Sequence, residues 1–244
     1  MMRKKNITLN GKKCDGSEKL VTGDEVRLFF SDETIGKFSV HTLQEVKKVN
    51  LQIIYEDDHI LLVNKPSGML SQKAKDTDES LVEYIIDYLV SSGQLSTEQL
   101  KSFRPSVCNR LDRNTSGLVV AGKSLPGLQI MSAVFKDRSL HKYYRCVVKG
   151  SVTDKQVITG FLKKDSVTNQ VTITAAEVEG SVPVMTEYEP LGQAEGCTLL
   201  SVKLITGRTH QIRAHLASIG HPILGDFKYG SSAVNEEAKK RWNI

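Results

Sequence analysis

The sequence predicts an α+β protein built on a mixed, largely antiparallel β-sheet flanked by helices. Three observations lead there. Strand-like segments follow one another between residues 142 and 207, most of them β-branched or alternating and bounded by Gly, Asp or Asn. Helical patterns interrupt these runs singly, which suits helices packed on a sheet. Apolar content of 39% and charged content of 25% are those of a globular protein, and 244 residues can bury a core as one domain or one domain with a small appendage.

The chain opens with "MMRKKNITLNGKK", which is basic but has no apolar centre, so it does not read as a secretion signal. Asn10-Gly11 is a hairpin-turn pair and Thr22-Gly23-Asp24 a second turn before the apolar run 26–30. Too few apolar residues lie here for a separate core, so the stretch is an edge of the main body or half of a small module. Residues 31–49 are polar and lysine-bearing, a linker or short helix. Runs 51–55 and 60–63 flank Glu56-Asp57-Asp58 as a hairpin, closed by Lys65-Pro66-Ser67-Gly68.

"SLVEYIIDYLVSSG" has helical spacing, with Ser80 as cap and Gly93 just past its end. Residues 118–121 read as a buried strand and 125–135 as a helix. Five strands follow in "KYYRCVVKG", "QVITGFLKK", "NQVTITAA", "VMTEYEPLG" and "CTLLSVKLITG". "RTHQIRAHLASIG" is then a helix stopped by Gly220. No internal repeat or low-complexity tract is present.

Lysine and arginine outnumber aspartate and glutamate by 33 to 28, a net charge of +5. That surplus is compatible with a phosphate-rich partner and decides nothing alone. Cys14, Cys108, Cys146 and Cys197 are scattered without a CxxC pair, which favours reduced thiols in a cytoplasmic protein. No apolar run approaches the length of a membrane span.

Three stretches can carry chemistry. In "NRLDRNTSGL", Arg110 and Asp112 lie two apart and share a face in an extended segment, while Thr115, Ser116 and Gly117 suit a tight turn. An aspartate beside a guanidinium is held ionised, but a surface ion pair has the same appearance. In "HKYYRCVVKG", Lys142 and Tyr144 share a strand face, with Tyr143 opposite. A tyrosine there can stack on a base or relay a proton, or simply pack.

In "LITGRTHQIRAHLASIGHPILGD", Gly207 is expected to end a strand with the helix starting at once. Arg208, Thr209 and His210 would then lie at its electropositive end. Arg213, one turn further in, points back towards the sheet. A buried arginine needs a carboxylate, and Asp112 is the candidate. A zinc reading through His210, His215 and His221 fits poorly, because residues five apart on a helix sit about 140° from a common face. Ser116 lacks the glycine-flanked elbow of a hydrolase nucleophile.

Together, "NRLDRNTSGLVVAGKS", "KYYRCVVKG" and "LITGRTHQIRAHLASIGHPILGDFKYG" resemble three successive motifs of the RluA-type pseudouridine synthases, in their RluC/RluD branch. "YEDDHILLVNKPSGM" resembles that family's first motif, and the likeness runs from about residue 51 to 230. It departs at Asn109, where the family usually has histidine; this touches a flanking contact, since Arg110, Leu111 and Asp112 are kept. It implies the pseudouridine synthase fold over residues 51–244, a linker at 36–50, and at 1–35 part of an alpha-L RNA-binding module. Both ends look shortened: the module's first helices are missing, and the chain stops before an expected final strand.

The resemblance further implies isomerisation of uridine in RNA without metal or organic cofactor. Asp112 is the essential catalytic group, Arg213 pairs with it, and Tyr144 lies against the base as a candidate for removing the C5 proton. Arg110 is associated with the displaced nucleotide, and Lys142, Arg208 and His210 are the further expected RNA contacts. An apolar wall such as Leu111, Ile212 and Leu216 would keep water from C1′. Large-subunit ribosomal RNA is the expected substrate and transfer RNA the runner-up, with a cytoplasmic monomer and no membrane contact. The alternative is a non-catalytic RNA-binding or ribosome-assembly factor with the same fold; loss of Asp112 or Tyr144 would favour it, and both are present.

Overall fold

The computed structural model describes residues 6–31 and 46–242, so residues 36–45 of the expected linker lie outside the described residues. Asn10 and Gly11 both take positive φ, 49° and 74°, the conformation that joins twisted strands with a two-residue turn. They connect β1 (Ile7–Leu9) to β2 (Lys12–Lys13), and β3 (Val26–Leu28) pairs along the other side of β1. Leu28 and Phe29 remain 59% and 57% exposed, so this small sheet does not enclose a core of its own.

The second sheet has the order β4-β5-β7-β6, with β4 (Ile53–Glu56), β5 (Ile60–Lys65), β6 (Ser106–Val107) and β7 (Gly117–Gly122) all antiparallel. Asp57 makes the turn between β4 and β5, its carboxylate accepting from the amides of His59 and Ile60 at 2.7 Å each. Alternation along β5 sends Leu61, Val63 and Lys65 inward. The apolar stripe of α1 (Leu81–Ser91) packs on that face, with Leu81, Ile85, Ile86 and Leu89 against Leu61, Val63, Val119 and Ala121. Each such side chain contributes about 1.5–3 kcal/mol.

Helix α2 (Leu125–Asp137) begins at Ser124, whose hydroxyl accepts the Gly127 amide at 3.2 Å. Gly127 is required by close approach, because a Cβ would collide with the His59 carbonyl.

The third sheet has the order β10-β9-β11-β12-β8, again antiparallel throughout. Its strands are β8 (Lys142–Lys149), β9 (Gln156–Lys164), β10 (Val171–Thr174), β11 (Val182–Ala194) and β12 (Cys197–Leu204). Residues 222–224 run along β8, with the Leu224 amide on the Val147 carbonyl at 2.9 Å. Helix α3 (Gln211–Ser218) lies on this sheet, Ala214 meeting Leu162 and Val184 while Leu216 meets Val148, Leu200 and Val202.

Helix α4 (Ser232–Trp242) follows, an element the hydrophobic pattern does not announce. It is tied back through Asn235, whose amide donates to the Asp226 carbonyl and accepts from the Gly225 amide, both at 3.0 Å. The antiparallel α+β architecture is therefore divided among three sheets. Among the described residues the one parallel pairing is the isolated bridge between Leu70 and Ser80.

Candidate active site

Asp112 sits in the loop between β6 and β7, and that loop is fastened on both sides. The Asn109 side chain donates to the Leu118 carbonyl at 3.2 Å and accepts the Val120 amide at 2.8 Å, so it extends the pairing of β7. The Ser71 hydroxyl accepts the Leu111 amide at 3.0 Å and donates to its carbonyl at 2.8 Å. Fully buried Lys65 donates to the carbonyls of Pro66, Met69 and Arg113 at 2.9, 2.8 and 3.2 Å, tying two loops together. Burial lowers the Lys65 pKa, and the Asp112 charge pulls it the other way.

The opposing half of the site comes from the segment before α3. The strand ends at Leu204 and the helix starts at Gln211, so Gly207 does not join them directly as expected. The reason is Gln211 itself. Buried, it donates to the Met185 carbonyl and the Thr186 hydroxyl at 3.0 Å each, and its oxygen accepts the Thr206 hydroxyl at 2.9 Å and the Arg208 amide at 3.1 Å. All four of its hydrogen-bonding positions are used to shape residues 205–210. His210 ends this loop in the left-handed region, φ 54°, a conformation held only where the surroundings insist on it.

These halves meet at Asp112. Arg213 donates through Nη1 to Asp112 Oδ2 at 2.9 Å, across 101 residues of chain. Its Nε and Nη2 grip Asp226 at 2.7 and 2.9 Å, and its guanidinium lies 5.1 Å from the Tyr229 ring centre. The Asp226 bonds, then the Asp112 bond, raise the Arg213 pKa against the effect of burial. Burial opposes ionisation of Asp226, but Arg213 and the amides of Lys228 and Tyr229 outweigh it and hold that carboxyl below its ordinary range.

His210 Nε2 stands 3.8 Å from Asp112 Oδ2, and its Nδ1 meets the Tyr229 hydroxyl at 2.9 Å. The Val171 amide already donates to that hydroxyl. That hydroxyl keeps both its proton and a second acceptor position, so it serves Nδ1 in either tautomer of His210. Burial, the largest influence, lowers the His210 pKa.

Tyr144 lies half-buried on β8 while Tyr143 is 63% exposed, so the strand presents its two tyrosines to opposite sides. Burial, and then the Asp112 charge, push the Tyr144 phenol up, so it carries its proton at neutral pH. Lys142 shares that strand side and reaches the loop before α3: a Cβ on Gly207 would sit 3.1 Å from its Nζ. Arg110 and Arg208 are exposed, and the Arg110 side chain has no hydrogen bond or ion pair among the described residues. A cleft of about 500 Å³ opens beside the Asp112 loop, lined by Pro66, Gly68, Met69, Tyr84 and Arg113 among others.

The structure separates other candidates. Leu216 is fully buried in the core rather than in a wall of the site, because its helix turns that side onto β12. Leu111 and Ile212 are partly buried, each against the core of its own sheet. His215 meets Thr186 at 3.1 Å and His221 meets the Lys149 carbonyl at 2.9 Å, so the three histidines occupy three different settings. Sequence reasoning missed Lys65, Gln211, Asp226 and Tyr229. A hint for Asp226 existed: a buried guanidinium has five donors, and one carboxylate cannot use them all.

Solved structures that share this fold include pseudouridylate synthase domain proteins. The human RNA pseudouridylate synthase domain containing 1 protein superposes with a TM-score of 0.62 over 80% of this chain and 76% of that one, at 24% identity. Residues 59–218 match the family described as RNA pseudouridylate synthase. Ribosomal large subunit pseudouridine synthase D of Zymomonas mobilis is 35% identical over 77% of this chain and 58% of its own length. The synthase of the same name from Borreliella burgdorferi is 32% identical over 91% of this chain and 67% of its own. Ribosomal large subunit pseudouridine synthase C of Vibrio vulnificus is 30% identical over 94% and 70%. The chain belongs to the RNA pseudouridylate synthase family. It spans between 58% and 70% of the length of these three relatives.

Proposed function

We propose that this chain converts uridine to pseudouridine in large-subunit ribosomal RNA, with Asp112 as the catalytic group. The observation that carries the proposal is the Asp112–Arg213 pair, with side chains 32% and 25% exposed: anchored from behind, yet open to a substrate. The names of the Zymomonas, Borreliella and Vibrio relatives support the ribosomal substrate.

A stacked uridine must be turned out of its helix, at a cost of a few kcal/mol recovered in the pocket. Breaking the bond from N1 to C1′ builds positive character on the sugar and negative character on uracil. The Asp112 carboxylate stabilises the sugar, by attack at C1′ or by taking the C2′ proton. The detached base turns and rejoins through C5. Tyr144, protonated at neutral pH, lies against the base as a hydrogen-bond donor, and it accepts the C5 proton once its own has passed to the N1 nitrogen freed by the cleavage. Arg110 holds the displaced nucleotide, while Lys142, Arg208 and His210 hold the strand. The N-terminal sheet, with Lys12, Lys13 and Arg27, gives a second RNA contact as part of an alpha-L module.

The test is release of tritium from RNA carrying C5-tritiated uridine. Wild-type protein should release it, and Asp112→Asn should abolish release while RNA affinity changes less than about threefold. An Asp112→Asn protein as active as wild type refutes the assignment. Mapping pseudouridines in ribosomal and transfer RNA from cells with and without the gene decides between those substrates.

A further inference from the structure

Of the acids at the site, Asp226 is the most enclosed, its side chain 4% exposed against 32% for Asp112. It lies in a tight turn whose own amides, from Lys228 and Tyr229, donate to Oδ1 at 2.9 and 3.2 Å. Asn235 on α4 fixes the turn's backbone. From this turn two arms extend to the same atom of Asp112. Asp226 takes Nε and Nη2 of Arg213, leaving Nη1 for Asp112 Oδ2. Tyr229 takes Nδ1 of His210, whose Nε2 then faces Oδ2. No described residue hydrogen-bonds Asp112 Oδ1.

Resting on the reading above, we propose that the Asp226–Tyr229 turn positions the catalytic carboxylate, Asp226 by committing Arg213 to a single bond with Oδ2, so that Oδ1 is the oxygen presented to the ribose. A guanidinium fork left free would turn to grip Asp112 with two nitrogens, as such forks do with carboxylates, and both oxygens would be occupied. With Asp226 filling the bidentate edge, Asp112 is steadied and oriented while one oxygen keeps its lone pairs for the substrate. A displacement of about 1 Å at such a group costs on the order of 100-fold in rate.

The full chain is assayed by C5-tritium release, with rates normalised to the folded fraction from thermal melts. Asp226→Asn should lower kcat about 10- to 100-fold, with KM for RNA within about twofold. Asp226→Glu, which restores the charge, should recover part of that loss. Asn235→Ala loosens the same turn without touching either carboxylate. It should lower the melting temperature, and lower kcat per folded molecule by less than Asp226→Asn does, because Asp226 still holds both nitrogens of Arg213. Tyr229→Phe keeps the ring under Arg213 and removes the hydroxyl's bonds to His210 and to the Val171 amide; it should lower kcat severalfold.

Wild-type kcat in Asp226→Asn, a glutamate no better than the asparagine, or an Asn235→Ala loss as large as that of Asp226→Asn would each overturn the inference. A structure with RNA bound in which Oδ2 rather than Oδ1 contacts the nucleotide would do the same. A wild-type chain that releases no tritium from ribosomal or transfer RNA overturns the functional reading, and this inference falls with it. A wild-type chain that does release it, beside an unaffected Asp226→Asn, overturns the inference alone.

Discussion

Asn109 stands where the resembled motif usually has histidine, and its side chain makes both a donor and an acceptor contact to the backbone of β7. Asn109→Ala strands the Val120 amide and loosens the loop that carries Asp112. It should cost about 1–2 kcal/mol in denaturant unfolding and lower kcat as well. Arg213 gives a sharper case. Three of its nitrogens bond, two to Asp226 and one to Asp112, and a lysine has one nitrogen with which to replace them. Arg213→Lys should therefore lose on the order of 100-fold in tritium release, whereas Lys142→Ala should lose less. The Asp112–Arg213 contact was legible in the sequence because a buried arginine demands a carboxylate and the family resemblance pairs these two residues. Asp226 was not, although it lies inside a quoted motif. Its partners are set by a turn against α4, and no pattern in the chain announces that helix.

At the scale of elements, the strands of the third sheet could be read from β-branched alternation, and α1 from its apolar stripe. Ends were harder. β12 stops three residues before Gly207 because Gln211 and Thr206 capture Met185 and Thr186 of β11, an arrangement between residues 21 to 26 apart in the chain that no local propensity contains. Where backbone meets backbone, small residues decide. Gly127→Ala should force α2 away from the His59 carbonyl. The expected loss is about 1–3 kcal/mol, seen as a lower melting temperature, with near-normal kcat in the molecules that remain folded.

For the whole molecule, two histidines set a pH dependence. Burial holds His210 and His215 below the ordinary histidine value of 6.5. The unfolded chain therefore takes up protons first as pH falls, so their contribution is complete above about 6.5 and is lost below it. Melting temperature should decline on acidification from pH 7, and His215→Gln should flatten that decline; an unchanged slope would contradict the burial argument. The proposed RNA binding should weaken as salt rises, because lysines and arginines on the phosphates displace condensed counterions. Removing Arg110, if it contacts a phosphate, should reduce the log–log salt slope by about 0.7–0.9.

Asp112 and Arg213 ride on different sheets and lie 101 residues apart, with Asp226 later still. A nascent chain translated only as far as β12 thus carries the acid but neither its cation nor the brace behind that cation. Such a fragment would be inert. Under the proposed function, Asp112 would have to wait for residues 213 to 226 to be made and folded before it could act.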